Sequence, residues 1–158
     1  MPPLNSIRTA ARAVIIHDGK LLATKMKDQK GSYYILPGGG QQAGECLKDT
    51  VIRECLEEVG VKVTVKRLLY VREYIGKNHN FSKRHKGFHQ LESVFLCEID
   101  EEDSTKVCIG TECDNHQVDV SWLALESFQN IRFYPEALKP YFKVEALEFP
   151  ELYLGDCN

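Results

Sequence analysis

Glu54, Glu57 and Glu58 fall at i, i+3 and i+4 within the run GGQQAGECLKDTVIRECLEEVGV that spans residues 39–61, and this spacing constrains the chain more than any other feature. The segment from Glu45 to Val59 has helical periodicity and stops at Gly60, a residue suited to the left-handed C-cap. At ~100° per residue the three carboxylates fall within about 100° of one another, while Ile52, Cys55, Leu56 and Val59 gather on the opposite side. The spacing therefore predicts a helix that docks by one face and carries carboxylates on the other. Like charges at this spacing repel by a few tenths of a kcal/mol per pair, a conflict that a divalent cation removes. Hard oxygen ligands on a rigid helix suit Mg²⁺ or Mn²⁺, ions that keep several waters and take one or two carboxylates plus substrate phosphates. Arg53 stands beside the acids, where it can orient a carboxylate by a charge-assisted hydrogen bond. Upstream, the turn Gly38-Gly39-Gly40 brings bare backbone close, and a carbonyl there can add a further oxygen.

The remaining chain frames this segment. Alternating small and apolar residues from Thr9 to Met26 are broken by Asp18-Gly19, the signature of a tight hairpin. Tyr33 to Leu36 runs apolar into the glycine turn. The stretch Val61 to Tyr74 is β-rich, Phe88 to Ile99 reads as another strand, and Val118 to Leu123 as a short one; Pro135 to Leu147 suits a closing helix. With 158 residues, no repeats and no linker, one domain over residues 1–158 is expected, an α/β sandwich around a mixed sheet.

The full spacing is Gly39, five residues, Glu45, seven residues, Arg53-Glu54, an apolar position, one residue, Glu57-Glu58, one residue, Gly60 and Val61. This resembles the Nudix box of the Nudix (MutT-like) hydrolase family. One departure is Cys55 at a position usually filled by Ile, Leu or Val, which a small apolar thiol on the docking face can fill. Leu36-Pro37-Gly38-Gly39 and Ser121-Trp122-Leu123 also look like the family. The resemblance implies an α/β/α sandwich and Mg²⁺- or Mn²⁺-dependent hydrolysis of the pyrophosphate linkage in a nucleoside diphosphate derivative or nucleoside triphosphate. It implies Glu54, Glu57 and Glu58 as metal ligands, with the Gly39 carbonyl as a further one. Glu54, Arg53 and Glu57 become the catalytic set; Glu54 is the first choice of general base, with Glu92 and Glu112 as alternatives outside the box. A domain that binds nucleotide without hydrolysing it, and regulates a partner, is the other reading of the same resemblance.

Substrate identity lies beyond the box. Where relatives for ADP-ribose carry a proline, and some for dinucleoside polyphosphates a tyrosine, this chain has Gly76-Lys77-Asn78-His79. The segment from Gly76 to His89 holds four basic residues and three histidines without an acid. Lys77, Lys83, Arg84 and Lys86 are candidates for substrate phosphate, and Phe81 or Phe88 for stacking on a base. A net charge of -3 argues against non-specific attraction to nucleic acid, leaving a small nucleotide as the expected partner and a homodimer as an open option. No apolar run approaches a membrane span or signal segment, so a cytoplasmic protein with reduced thiols is expected. The six cysteines read as small buried residues on strands plus one exposed thiol near the C-terminus. Cys108, Cys113 and His116 have poor spacing for zinc.

Overall fold

Strands β1 (Arg8–His17) and β2 (Lys20–Asp28) are joined at Asp18-Gly19, where φ is 49° and 72°, the paired positive angles of a tight hairpin turn. Strands β3 (Gly31–Ile35) and β4 (Gly38–Gly40) follow, then helix α1 (Leu47–Val59), β5 (Thr64–Ile75), β6 (His89–Glu98), β7 (Gln117–Ala124) and β8 (Tyr153–Asp156). The structure is a computed structural model and describes residues 6–108 and 117–158.

The hairpin strands pair only beside their turn, at Ile16↔Leu21 and His17↔Lys20. Beyond it they part. Ala10 to Arg12 of β1 take β4 on one side, antiparallel, while Arg8 to Ile15 take β6 on the other, parallel; β5 and β8 extend that sheet. Strand β2 instead pairs with β3 and β7. A wedge opens between the two groups of strands, and the site lies in it.

Alternation along β1 assigns its two faces. Ala11, Ala13 and Ile15 pack beneath α1 with Leu22, Val51, Cys55, Val59 and Phe95. Val14 points the other way, into a cluster with Leu21, Tyr70, Val94, Phe128, Phe133 and Phe142. That second layer is built from short 3₁₀ turns, Leu125–Asn130 and Glu136–Tyr141, and from the segment around Phe149.

Several sequence expectations need correction here. The closing helix expected over Pro135 to Leu147 is the short 3₁₀ turn Glu136–Tyr141, because Pro140 has no N–H to continue a helical ladder. Helix α1 begins two residues after Glu45, with the Cys46 N–H donating to Asp49 Oδ2 at 3.2 Å. Its docking stripe is Val51, Cys55 and Val59, whereas Leu56 is 54% exposed. Strand β8 has no counterpart among the elements expected from sequence. Of the thiols, Cys55 and Cys97 are buried, the first on the helix rather than a strand; Cys46 and Cys108 are exposed, and Cys157 is half-buried. Cys113, His116 and Glu112 lie outside the described residues. Among the described residues no helix is long and apolar enough to cross a membrane.

Candidate active site

The glycine turn and α1 meet through close backbone approach. Gly38 has φ of 145°, and a Cβ there would lie 2.2 Å from the Ala11 carbonyl oxygen, so only glycine lets β4 pair against β1 at this point. At Gly39 a Cβ would fall 2.6 Å from the carboxyl carbon of Glu54. The bare backbone thus brings the Gly39 peptide against the Glu54 carboxylate. Glu58 is buried and accepts the Gly38 N–H at 2.9 Å, which ties the helix to the turn.

Arg53 is the hub of the acidic face. Its Nη2 donates to Glu45 Oε1 at 2.7 Å and to Gly40 O at 2.9 Å, its Nε to Glu45 Oε2 at 3.1 Å, and its Nη1 to Glu54 Oε1 at 3.0 Å and Glu57 Oε2 at 3.3 Å. Three carboxylates therefore share one guanidinium. The Arg53 hydrogen bonds hold the Glu45 carboxyl down at about 2, and Glu45 in return raises the guanidinium further above its ordinary range. The hard-oxygen chemistry of Glu54, Glu57, Glu58 and the Gly39 carbonyl suits a divalent cation such as Mg²⁺ or Mn²⁺. Among the described residues no three carboxylate, imidazole or thiol groups converge on one point, since Arg53 engages Glu54 and Glu57 while Glu58 turns to Gly38.

The second half of the site is a continuation of the sheet face that carries Val14 and Val94. Register places Ala10, Glu92 and Arg72 side by side across β1, β6 and β5, and Arg8, Gln90 and Tyr74 in the next row. Glu92 is fully buried. Its Oε2 accepts Arg12 Nε at 2.8 Å and Gln90 Nε2 at 2.9 Å, and its Oε1 accepts Arg72 Nε at 3.0 Å. Burial alone would raise the Glu92 carboxyl, but Arg72 and Arg12 outweigh it and bring the group down to about 2. Arg12 continues to Leu36 O at 2.9 Å, at the entrance of the glycine turn, and Arg72 donates to the Cys157 carbonyl. A cavity of about 290 Å³ opens here, lined by Arg12, Tyr33, Arg72, Tyr74, Phe81 and Tyr134 among others.

Phe81 packs against Tyr33 and Tyr134 with ring centroids 5.4 Å and 5.1 Å away. Tyr134 arrives on a segment docked along β3, where the Tyr34 N–H donates to Arg132 O and the Tyr134 N–H to Tyr34 O. Arg132 anchors that segment by paired hydrogen bonds to Asp28, at 2.9 Å and 2.6 Å. The segment from Gly76 to Phe88 folds through successive backbone turns, and Tyr74 Oη meets His85 Nδ1 at 2.7 Å.

The structure thus gathers Arg53, Glu54, Glu57, Glu58 and Gly39 at one end of the wedge. Of the basic segment, it brings Phe81, Arg84 and Phe88 to the aromatic cavity. Lys77 and Lys86 line a neighbouring depression with Ser6 and His89, and Lys83 is exposed outside both halves of the cleft. Glu92 is not the surface carboxylate that a base candidate on a strand after a loop suggests. Sequence reading misses Arg12, Arg72, Tyr33 and Tyr134. Arg12 and Arg72 carry one signal, a charge inside an apolar alternating strand.

Comparison with known proteins bears on this arrangement. A family model described as NUDIX domain matches residues 7–144. The nucleoside triphosphatase NudI of Escherichia fergusonii is 36% identical over 64 residues, 39% of this chain and 45% of that protein. The chain spans under half the length of the curated relatives it matches. Among solved structures, a MutT NUDIX hydrolase from Burkholderia pseudomallei superposes with a TM-score of 0.56 at 27% identity, over 77% of this chain and 86% of that one. A NUDIX hydrolase from Nitrosomonas europaea gives a TM-score of 0.64 over 94% of this chain and 79% of its own, at 16% identity, a likeness of fold.

Proposed function

The chain belongs to the NUDIX family, and from that membership we propose that it hydrolyses the pyrophosphate linkage of a nucleoside triphosphate or nucleoside diphosphate derivative with Mg²⁺ or Mn²⁺. The observation that carries this reading is the contiguity of two unlike cavities. A cavity lined by Glu54, Glu58, Gly38 and Gly39, with Glu54 shared with the Arg53 cluster, adjoins an arginine- and tyrosine-lined pocket, and Arg8, Arg12, Met26 and Ile35 line both.

Glu54, Glu57, Glu58 and the Gly39 carbonyl are the groups that would hold the ion. When bound, a divalent cation neutralises pyrophosphate oxygens and lowers the pKa of a bound water. Arg53 keeps Glu54 and Glu57 oriented through its Nη1 hydrogen bonds. Glu54 Oε1 is engaged by Arg53, so its other oxygen is the acceptor for the proton of the attacking water. Glu92 is unsuited to the role of base, because both its oxygens face guanidinium donors and its carboxyl sits at about 2. Phosphate oxygens face Arg8 and Arg12 where the two cavities join, while Phe81, Tyr33 and Tyr134 supply ring faces for the base and Arg84 a rim cation. The triphosphatase named among the relatives favours a triphosphate as the first substrate to try.

The test is release of nucleoside monophosphate from a panel of nucleoside triphosphates and diphosphate derivatives, with Mg²⁺, with Mn²⁺ and with chelator, for the native protein and Glu57→Gln. Metal-dependent release that vanishes in the variant supports the reading. Tight nucleotide binding without release from any member of the panel overturns it in favour of a non-hydrolytic binding domain.

A further inference from the structure

Strand β7 carries an irregularity beside the cavity that Glu54 and Glu58 line. Pairing with β2 runs regularly from Lys20↔Ala124 to Lys25↔Asp119, then shifts so that Met26 faces Gln117. Regular alternation from Trp122 and Val120, both packed on the α1 side, would have put Val118 next on that face. The bulge turns Val118 out, 45% exposed, and Gln117 in, 7% exposed. An apolar residue is thereby exchanged for an amide over the helix.

The amide has a definite orientation. Gln117 Nε2 donates to the Glu58 backbone carbonyl at 3.0 Å, and since a carbonyl can only accept, the side-chain nitrogen must face it. Gln117 Oε1 then points the opposite way. It is buried and has no hydrogen-bond partner among the described residues. A buried acceptor left unpaired forfeits its hydration without return, so such an atom calls for a partner. Gln117 lines a cavity with Gly38, Gly39, Glu54 and Glu58, and with Arg8 and Arg12. Arg8 and Arg12 carry donors, yet neither hydrogen-bonds Gln117 Oε1, Arg12 being engaged by Glu92 and the Leu36 carbonyl; the carboxylates and a phosphate oxygen offer no donor. A cation or a water of its shell satisfies it.

We propose that Gln117 Oε1 is a further oxygen ligand of the divalent-cation site, reached directly or through one water of the ion, an inference that rests on the metal-dependent reading above. The bulge in β7 is then the device that supplies an uncharged ligand from the sheet to a site whose charged ligands come from the helix.

The test is Mn²⁺ affinity of the full chain without nucleotide, read by electron paramagnetic resonance of free Mn²⁺, for the native protein, Gln117→Leu and Gln117→Glu. Thermal unfolding confirms that each is folded. Gln117→Leu removes the oxygen and is expected to weaken Mn²⁺ binding about tenfold or more. Gln117→Glu gives up the donor to Glu58 but keeps an oxygen, and is expected to bind Mn²⁺ at least as tightly as the native protein. Unchanged affinity in Gln117→Leu overturns the proposal while leaving the hydrolase reading intact. Equal weakening in both variants also overturns it, assigning Gln117 to support of Glu58 instead. Absence of Mn²⁺ binding in the native protein overturns this proposal and the metal-dependent reading together.

Discussion

The two ends of the cleft are built on opposite charge ratios. Around Arg53, three carboxylates share one guanidinium and remain partly open to solvent. Around Glu92, two guanidiniums share one carboxylate that solvent does not reach. The first end is left negative and calls for a cation; the second is left positive and calls for an anion. On the proposed reading, a pyrophosphate carrying a divalent cation would meet both, the ion at the carboxylate end and the phosphate oxygens at the guanidinium end. The clusters also differ in what their loss does. The exposed one can give up a charge without unfolding, whereas the buried one cannot.

That contrast can be broken by substitution. The largest effect is expected from Glu92→Gln, which leaves Arg12 and Arg72 under-compensated in the interior. Its urea midpoint should fall by an amount equal to about 3–5 kcal/mol, and an unchanged midpoint would contradict the buried-pair account. The same residue predicts a pH profile. Its folded carboxyl lies at about 2, below an ordinary glutamate near 4.3, so its contribution is whole above about pH 4.3 and is lost as the pH falls toward 2. Acid unfolding of Glu92→Gln should lack that portion of the slope.

Next comes Glu57→Gln, for which turnover should drop about 10²–10³-fold while the urea midpoint stays put. A loss of fold instead would erase the distinction between the two ends. Phe81→Ala should raise KM about tenfold with kcat little altered, since stacking on a base contributes roughly 1–3 kcal/mol. Equal loss in kcat would move Phe81 from recognition to chemistry. The smallest change is expected from Lys77→Ala and Lys83→Ala, about twofold or less in KM, because neither side chain lines the cleft. Larger effects there would extend the positive end beyond its present boundary.

The same contrast explains what is legible in the sequence. The acidic end uses one helix and the turn before it, so its spacing survives in the linear chain: Gly39, Arg53, Glu54, Glu57 and Glu58 are within twenty residues of one another. The basic end needs strand register. Arg12, Arg72 and Glu92 meet only because β1, β6 and β5 align Ala10, Glu92 and Arg72 in a row, which no local pattern encodes. Tyr134 and Phe81, both on segments outside the strands, come together from opposite sides of the wedge, a contact that no local pattern encodes either. The opening hairpin is readable from Asp18-Gly19, whose positive φ angles the turn demands. The final helix is misread, since helical periodicity after Pro135 outvotes the single proline at 140. Angle alone puts Leu56 on the docking face, yet the sheet is met by Val51, Cys55 and Val59.

The early parting of β1 from β2 also bears on how such a chain can diversify. Among the described residues, only Arg8, Arg12, Met26 and Ile35 line both halves of the cleft. On the proposed reading, drift in Tyr33, Phe81 or Tyr134 would retune which molecule is chosen while the carboxylate end is inherited intact. Selection acts on two walls that are nearly independent, joined at four positions where a change must please both.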